Sequence, residues 1–85
     1  MFKSELDTNK PFVPLNIAVM AVSDTRTLET DTGGALLKKM IEEDGHKCVA
    51  RVVVRDDIQK IRAQLQAWVA DPEIDAVLTT GGTGF

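Results

Sequence analysis

A nearly unbroken apolar run early in the chain, LNIAVMAV at residues 15–22, is the feature that most constrains the fold. A strand that is apolar at successive positions, not alternate ones, has to be covered on both faces. Helices on the two faces of a parallel sheet give such cover, so the run predicts the central strand of an α/β domain. The polar stretch that follows, residues 23–34, is long for a strand-to-helix connection and is a candidate functional loop.

Two amphipathic patterns predict helices on either side of a second strand, residues 48–54. The first helix ends at Gly45, which we expect in a left-handed conformation. The second helix starts at a cap formed by Asp56 or Asp57 and is stopped by Asp71-Pro72. The apolar side chains at helical spacing are Leu36, Leu37, Met40 and Ile41 in the first helix, and Ile58, Ile61, Leu65, Trp68 and Val69 in the second.

A third strand, residues 74–80, completes a strand-helix-strand-helix-strand order. Right-handed crossovers predict a parallel sheet in the order two-one-three, because the order one-two-three would leave one face bare. Arg51 within the second strand fits an edge position. The third strand is too apolar for an open edge, so we expect further strands in a parent protein. We interpret residues 15–85 as the N-terminal βαβαβ half of a three-layer, doubly wound, Rossmann-like α/β domain that is truncated at its C-terminus, and residues 1–14 as a flexible arm.

Composition narrows the possible partners. The net charge of -3 argues against binding to nucleic acid or to an anionic membrane surface through a broad basic patch. No apolar stretch is long enough for a secretion signal or a membrane span. Cys48 is the only cysteine, so an internal disulfide is excluded. A cytoplasmic protein without nucleic-acid or membrane partners is expected.

The loops at the carboxyl ends of the strands are the predicted ligand site, because ligands bind there in parallel sheets. The last of them, TTGGTG at residues 79–84, contains glycines that permit positive φ and let successive amides point inward as a nest for phosphate. Thr80 and Thr83 add hydroxyl donors. A tight turn that needs only flexibility is the alternative. The motif is neither a P-loop nor a dinucleotide fingerprint.

The acidic residues at the same edge can serve either as helix caps or as contacts to a ligand or metal ion. One aspartate suffices to cap the second helix, so the other of Asp56 and Asp57 is spare to hold Mg²⁺ through water. Asp31 could likewise cap the first helix or contact a ligand. Gly33 and Gly34 in its first turn cost about 1 kcal/mol each relative to alanine, which suggests a close approach by ligand or sheet. The side chains of residues 23–26 either contact a ligand or only solvate the loop.

Together, the segments VSDTRTLETDTGG, EEDGH, VRDDIQKIRAQLQAWVAD and VLTTGGTG resemble the molybdenum cofactor biosynthesis protein B family. That family is similar to molybdopterin adenylyltransferases and to the molybdopterin-binding domains of molybdate-inserting proteins. The resemblance covers residues 15–85. It implies a trimer or a dimer of trimers that binds molybdopterin. In active relatives the molybdopterin phosphate attacks the α-phosphate of Mg-ATP, giving adenylylated molybdopterin and pyrophosphate.

The resemblance also assigns site residues. Asp56 matches the first of two acidic positions required for transfer, as a catalytic residue and as a ligand to Mg²⁺, either directly or through water. The second position falls after the GGTG loop, outside this sequence, so we expect the 85-residue chain alone to be inactive. Some members of this branch resemble the transferases closely but do not catalyse, and they often lack the first acid. This chain retains it, which favours catalysis in the full-length protein, with a non-catalytic molybdopterin carrier or a purely structural trimer subunit as alternatives. The implied substrate-binding residues are Ser23, Asp31, Gly34, Thr80, Gly81, Gly82, Thr83 and Gly84.

Overall fold

The computed structural model describes residues 12–81 and shows the predicted order of elements. Residues 1–11 of the predicted arm lie outside this range, as do Gly82, Thr83 and Gly84 of the predicted site. The observed strand bounds differ from the predicted ones by one or two residues at some ends. The elements are β1 (Asn16–Val22), α1 (Thr32–Glu43), β2 (Lys47–Val54), α2 (Ile58–Val69) and β3 (Ala76–Gly81).

The three strands form a parallel sheet in the order β2-β1-β3, which confirms the predicted topology. β1 lies in the centre, and Val19 and Met20 in its middle are fully buried. The pairing of β1 with β2 shifts between Ile17 and Ala18, whereas the pairing with β3 is regular. The central strand therefore carries the core, and β2, with Arg51, lies at an edge of the described sheet.

Each face of β1 packs against one helix, so the domain has the predicted three layers. On one face, Ile17 and Val19 form an apolar cluster with Ile41 of α1. On the other face, Ala18 and Met20 pack with Trp68 of α2, and this cluster is larger because more side chains of β2 and of the helix join it. The successive apolar positions of β1 are thus explained by alternation between two cores.

The buried face of each helix is narrower than the apolar face that the sequence predicted. In α1, Leu36 and Met40 are 58% and 51% exposed, and in α2, Ile58 and Val69 are 72% and 81% exposed. The described sheet is only three strands wide, so only the stripe of each helix that faces the sheet finds apolar partners. Neither helix in residues 12–81 has the length and hydropathy needed to cross a membrane.

Local structure explains the start of α2 and the end of α1. Asp57, and not Asp56, caps α2, because its Oδ1 accepts from the amides of Gln59 (2.9 Å) and Lys60 (3.3 Å). α1 ends at Glu43, and Gly45, the left-handed residue predicted after its last turn, has a φ of 88°. Phe12 lies next to this turn, with its ring centroid 5.1 Å from that of His46.

Candidate functional site

A cleft of about 260 Å³ opens at the carboxyl ends of β1 and β3. The end of β1 and the loop that follows it form one wall, and the first turn of α1 and the end of β3 complete the cleft. The structure thus brings four of the predicted site residues, Ser23, Asp31, Thr80 and Gly81, to one cavity. The residues that line it are Ala21, Val22, Ser23, Arg26, Asp31, Thr32, Gly33, Thr80 and Gly81.

The loop between β1 and α1 is ordered by its own side chains. The hydroxyl oxygen of Ser23 accepts from the amides of Thr25 (3.2 Å) and Arg26 (3.1 Å), which turns the chain immediately after the strand. Thr30 Oγ1 accepts from the Thr27 amide at 2.8 Å, and Arg26 Nη1 donates to the Thr30 carbonyl at 2.6 Å. The polar residues of the loop therefore hold a defined wall and do more than solvate an exposed connection.

Asp31 serves the structure of this wall as well as lining the cleft. Its Oδ1 accepts from the Gly34 amide at 3.1 Å, which makes it the N-cap of α1. Its Oδ2 lies 3.3 Å from Nη2 of Arg51. The carboxylate is thus engaged within the domain, as the capping alternative predicted, and its contact with a ligand stays a prediction.

The two glycines after Asp31 have different neighbours. A Cβ on Gly34 would collide with Asp31 Oδ2 and lie 3.1 Å from Arg51 Nε, so Gly34 is buried against the ion pair and does not itself line the cleft. A Cβ on Gly33 would lie 3.3 Å from Thr80 Oγ1. The close approach expected from these glycines is therefore made at Gly34 by the Asp31 cap and Arg51 of β2, and at Gly33 by Thr80 of β3.

Gly81 fixes the geometry at the end of β3. Its φ of 85° is left-handed, and a Cβ there would collide with the carbonyl oxygen of Val22 on β1. Both observations require glycine at this position. The positive φ predicted for the glycines of the TTGGTG motif is confirmed for Gly81, the only one of them in the described range.

Asp56 lies at the same edge of the sheet but lines a different cavity. This second cavity, of about 230 Å³, is on the α2 side, where Asp56 meets Thr79 and Gly81. The Asp56 amide donates to Asp24 Oδ1 at 3.0 Å, and its carboxylate is exposed and does not cap the helix. Gly81 lines both cavities, so the cavity that Asp56 lines adjoins the cleft at the end of β3.

Within residues 12–81, no group of three or more histidine, cysteine, aspartate or glutamate side chains is placed to hold a metal ion. Asp56 offers one carboxylate, which suits a magnesium ion that keeps several waters and takes other ligands from substrate phosphates. The described residues would therefore supply a magnesium ion with one carboxylate ligand, and its remaining ligands would come from water or from a bound substrate.

Thr32 lines the cleft although sequence reasoning assigned it no role there, and Gly33 and Arg26, for which ligand contact was one of two alternatives, line it as well. Arg26 is the only basic lining residue among those described. Arg26 lies between Ser23 and Asp31, and Thr32 and Gly33 directly follow Asp31, so the whole loop and the helix start after it form the wall. The contact of Arg51 with Asp31 joins residues 20 apart in sequence, and no local pattern signals it.

A parallel α/β layer structure with a polar cleft at the carboxyl ends of its strands defines a ligand-binding domain of the doubly wound class. The family model described as "Probable molybdopterin binding domain" matches residues 18–85. The chain belongs to this molybdopterin-binding domain family.

Relatives of known name agree with this assignment. Molybdenum cofactor biosynthesis protein B of Escherichia coli (strain K12) is 42% identical over 74 residues, which is 87% of this chain and 44% of that protein. The protein of the same name from Staphylococcus carnosus (strain TM300) is 46% identical over 73 residues, 84% of this chain and 42% of the relative. A crystal structure of a molybdenum cofactor biosynthesis protein B superposes with a TM-score of 0.81 at 38% identity, covering 86% of this chain and 45% of that one. The chain thus spans less than half the length of these relatives.

Proposed function

We propose that the cleft binds molybdopterin and that its polar walls hold the ligand phosphate. The observation that carries this proposal is the cleft itself, which joins Ser23, Thr80 and Gly81 at the strand ends, inside the segment that the molybdopterin-binding family model matches. Arg26 at the wall supplies positive charge for the phosphate. The loop that continues from Gly81, with Gly82, Thr83 and Gly84, would complete the phosphate nest.

Adenylyl transfer is the proposed reaction. A phosphate oxygen of molybdopterin attacks the α-phosphorus of ATP, the bond from the α-phosphorus to the bridging oxygen breaks, and pyrophosphate leaves with that oxygen. Magnesium bound with the nucleotide would neutralise charge on the attacking and leaving oxygens. The Asp56 carboxylate, exposed beside Gly81, would orient the magnesium-bound water at this edge.

The proposed transfer requires a second acidic residue, which the family resemblance puts after the GGTG loop. The 85-residue chain spans 44% of the Escherichia coli relative. We therefore propose transfer only for a protein that carries the second acid as well as Asp56. The 85-residue chain is expected to form no adenylylated product.

The Asp56→Asn variant tests the reaction in a protein of the relatives' length. Molybdopterin is supplied anaerobically with ATP and Mg²⁺, and pyrophosphate release is measured. We expect the rate to fall by about 100-fold, since metal-assisted charge neutralisation contributes several kcal/mol. Asp57→Asn is the matched control, because asparagine caps a helix about as well as aspartate. Equal rates in wild type and Asp56→Asn would rule out the proposed role of Asp56.

A non-catalytic molybdopterin carrier is the second candidate. The observation that favours it is that Asp56 lines the second cavity and not the cleft that is proposed to bind molybdopterin. A carrier binds molybdopterin with an affinity that does not change when ATP and Mg²⁺ are added, and it releases no pyrophosphate. The same titration and assay therefore separate the two candidates.

Assembly and location complete the proposal. We infer a homotrimer or a hexamer, as the family resemblance implies, and a cytoplasmic location, as expected from the single cysteine. The exposed apolar side chains of Ile58 and Val69 on α2 support burial of this face in the whole protein. Sedimentation of the purified protein at several concentrations would report the assembly state, and a monomer throughout would contradict the proposal.

A further inference from the structure

Arg51 on the edge strand β2 reaches across to the loop that precedes α1. Its Nη2 donates to the carbonyl oxygens of Asp31 (2.8 Å) and Leu28 (3.1 Å), and it lies 3.3 Å from the Asp31 carboxylate. The pair is well shielded, with side-chain exposures of 20% for Arg51 and 7% for Asp31. One guanidinium nitrogen thus holds two backbone carbonyls and the helix cap.

These contacts anchor the far end of the cleft wall. The near end is anchored by the Ser23 amide, which donates to the Val54 carbonyl at 2.9 Å. Val54 and Arg51 both belong to β2, yet no residue of β2 is among those that line the cleft in the described part of the chain. The edge strand therefore shapes the wall from behind without itself facing a ligand.

The hydrogen bonding of Arg51 argues against a role in stability alone. Its Nε is buried and has no hydrogen-bond partner among the described residues. An unsatisfied buried donor is destabilising, and apolar side chains often replace buried ion pairs without loss of stability. An apolar residue would suit this position better if the position served only packing. The two backbone carbonyls, by contrast, require a hydrogen-bond donor on a side chain long enough to reach both of them.

We propose that Arg51 is a positioning residue of the cleft. It holds residues 28–31 so that the Ser23 hydroxyl, Arg26 and the first-turn amides of α1 stand at fixed distances around the ligand phosphate. This role rests on the proposed molybdopterin site. It acts through the loop and not through contact with the ligand, because Arg51 does not line the cleft.

Hydrogen exchange of the free protein tests the structural half of the proposal without any ligand. In Arg51→Met, amides of residues 24–34 are expected to exchange about tenfold faster, while those of β1 and α2 keep the wild-type rates. Arg51→Lys should restore part of the protection, because an ammonium can reach one carbonyl but cannot bridge both. Ile41→Val, a conservative change in the buried face of α1, is the control for a general loss of stability.

The ligand half is tested by anaerobic titration with molybdopterin. We expect the dissociation constant to rise about tenfold in Arg51→Met, less in Arg51→Lys, and not in Ile41→Val. Unchanged exchange in the loop overturns the proposal outright. A loosened loop with an affinity no weaker than that of Ile41→Val overturns the positioning role.

Two other outcomes of these experiments also have a defined meaning. If wild type does not bind molybdopterin, the proposed function fails, and exchange in the loop then decides whether Arg51 shapes the wall. If Arg51→Met does not fold, the double variant Arg51→Met with Asp31→Asn replaces it, because it removes both charges and keeps a side-chain cap for α1. Its exchange and affinity are read against Asp31→Asn in the same way.

Discussion

At the residue scale, Gly81 joins the fold to the site, because this left-handed glycine is the last residue of β3 and lines both cavities. We predict that Gly81→Ala lowers the free energy of unfolding by about 2 kcal/mol or more, since alanine in a left-handed conformation costs about 1–2 kcal/mol and its Cβ would also strike the Val22 carbonyl. Urea unfolding followed by Trp68 fluorescence measures this change.

The same substitution at Gly33 is the control for this prediction. Gly33 lies in a helix, where alanine is favoured by about 1 kcal/mol. Its added Cβ would come nearest to two side chains and not to backbone: Thr80, at 3.3 Å, and Asp31 Oδ1, at 3.8 Å. Gly33→Ala should therefore stay within about 1 kcal/mol of wild type. If the two variants unfolded alike, the backbone of Gly81 would not be the cause.

Sequence reasoning at this scale succeeded where the chemistry is local. Gly45 and Gly81 were predicted with positive φ because glycine is the residue that tolerates it, and both have it. The contact between Arg51 and Asp31 was not predicted, because it depends on how the edge strand and the loop after β1 are placed in space. The arginine was interpreted only as a sign of an edge position, which is correct but incomplete.

At the element scale, α2 depends on one of two adjacent aspartates. Asp57→Ala is expected to lower the free energy of unfolding by about 0.5–2 kcal/mol, because the amides of Gln59 and Lys60 lose their acceptor. Asp56→Ala is the control and should change it by less than about 0.5 kcal/mol, since the exposed Asp56 side chain caps nothing. Equal losses in urea unfolding would contradict the assignment of the cap.

The elements themselves were largely predictable. Apolar spacing predicted both helices and the central strand, and the handedness of crossovers then left the order two-one-three, which the structure confirms. The width of the buried helix faces was not predictable, because periodicity shows which side of a helix is apolar but not how much of that side the sheet covers. Leu36 and Val69 are apolar by pattern and exposed in the described fold.

At the scale of the whole molecule, β1 connects two otherwise separate cores. Ile17 and Val19 face the α1 cluster, while Ala18 and Met20 face the α2 cluster. Among the described residues, the two clusters are connected through β1 and the strands that pair with it. Loss of packing on one face should therefore unfold the domain as a unit and not one layer at a time.

Met20→Ala tests this dependence on the central strand. The Met20 side chain of β1 is fully buried against α2, and truncation of such a side chain costs about 2–5 kcal/mol. A folded domain has about 5–15 kcal/mol in total, and short chains lie at the lower end. We therefore expect a large fall in the urea midpoint, with Trp68 fluorescence and circular dichroism changing together.

Met40→Ala is the matched control, because Met40 is 51% exposed on the outer side of α1. Its free energy of unfolding should stay within about 0.5 kcal/mol of wild type. A similar loss in both variants would mean that the exposed side of α1 is buried in the assembled protein, since only burial makes a methionine costly to truncate. A loss confined to Met20→Ala would show that the stability of the domain resides in the two cores that share β1.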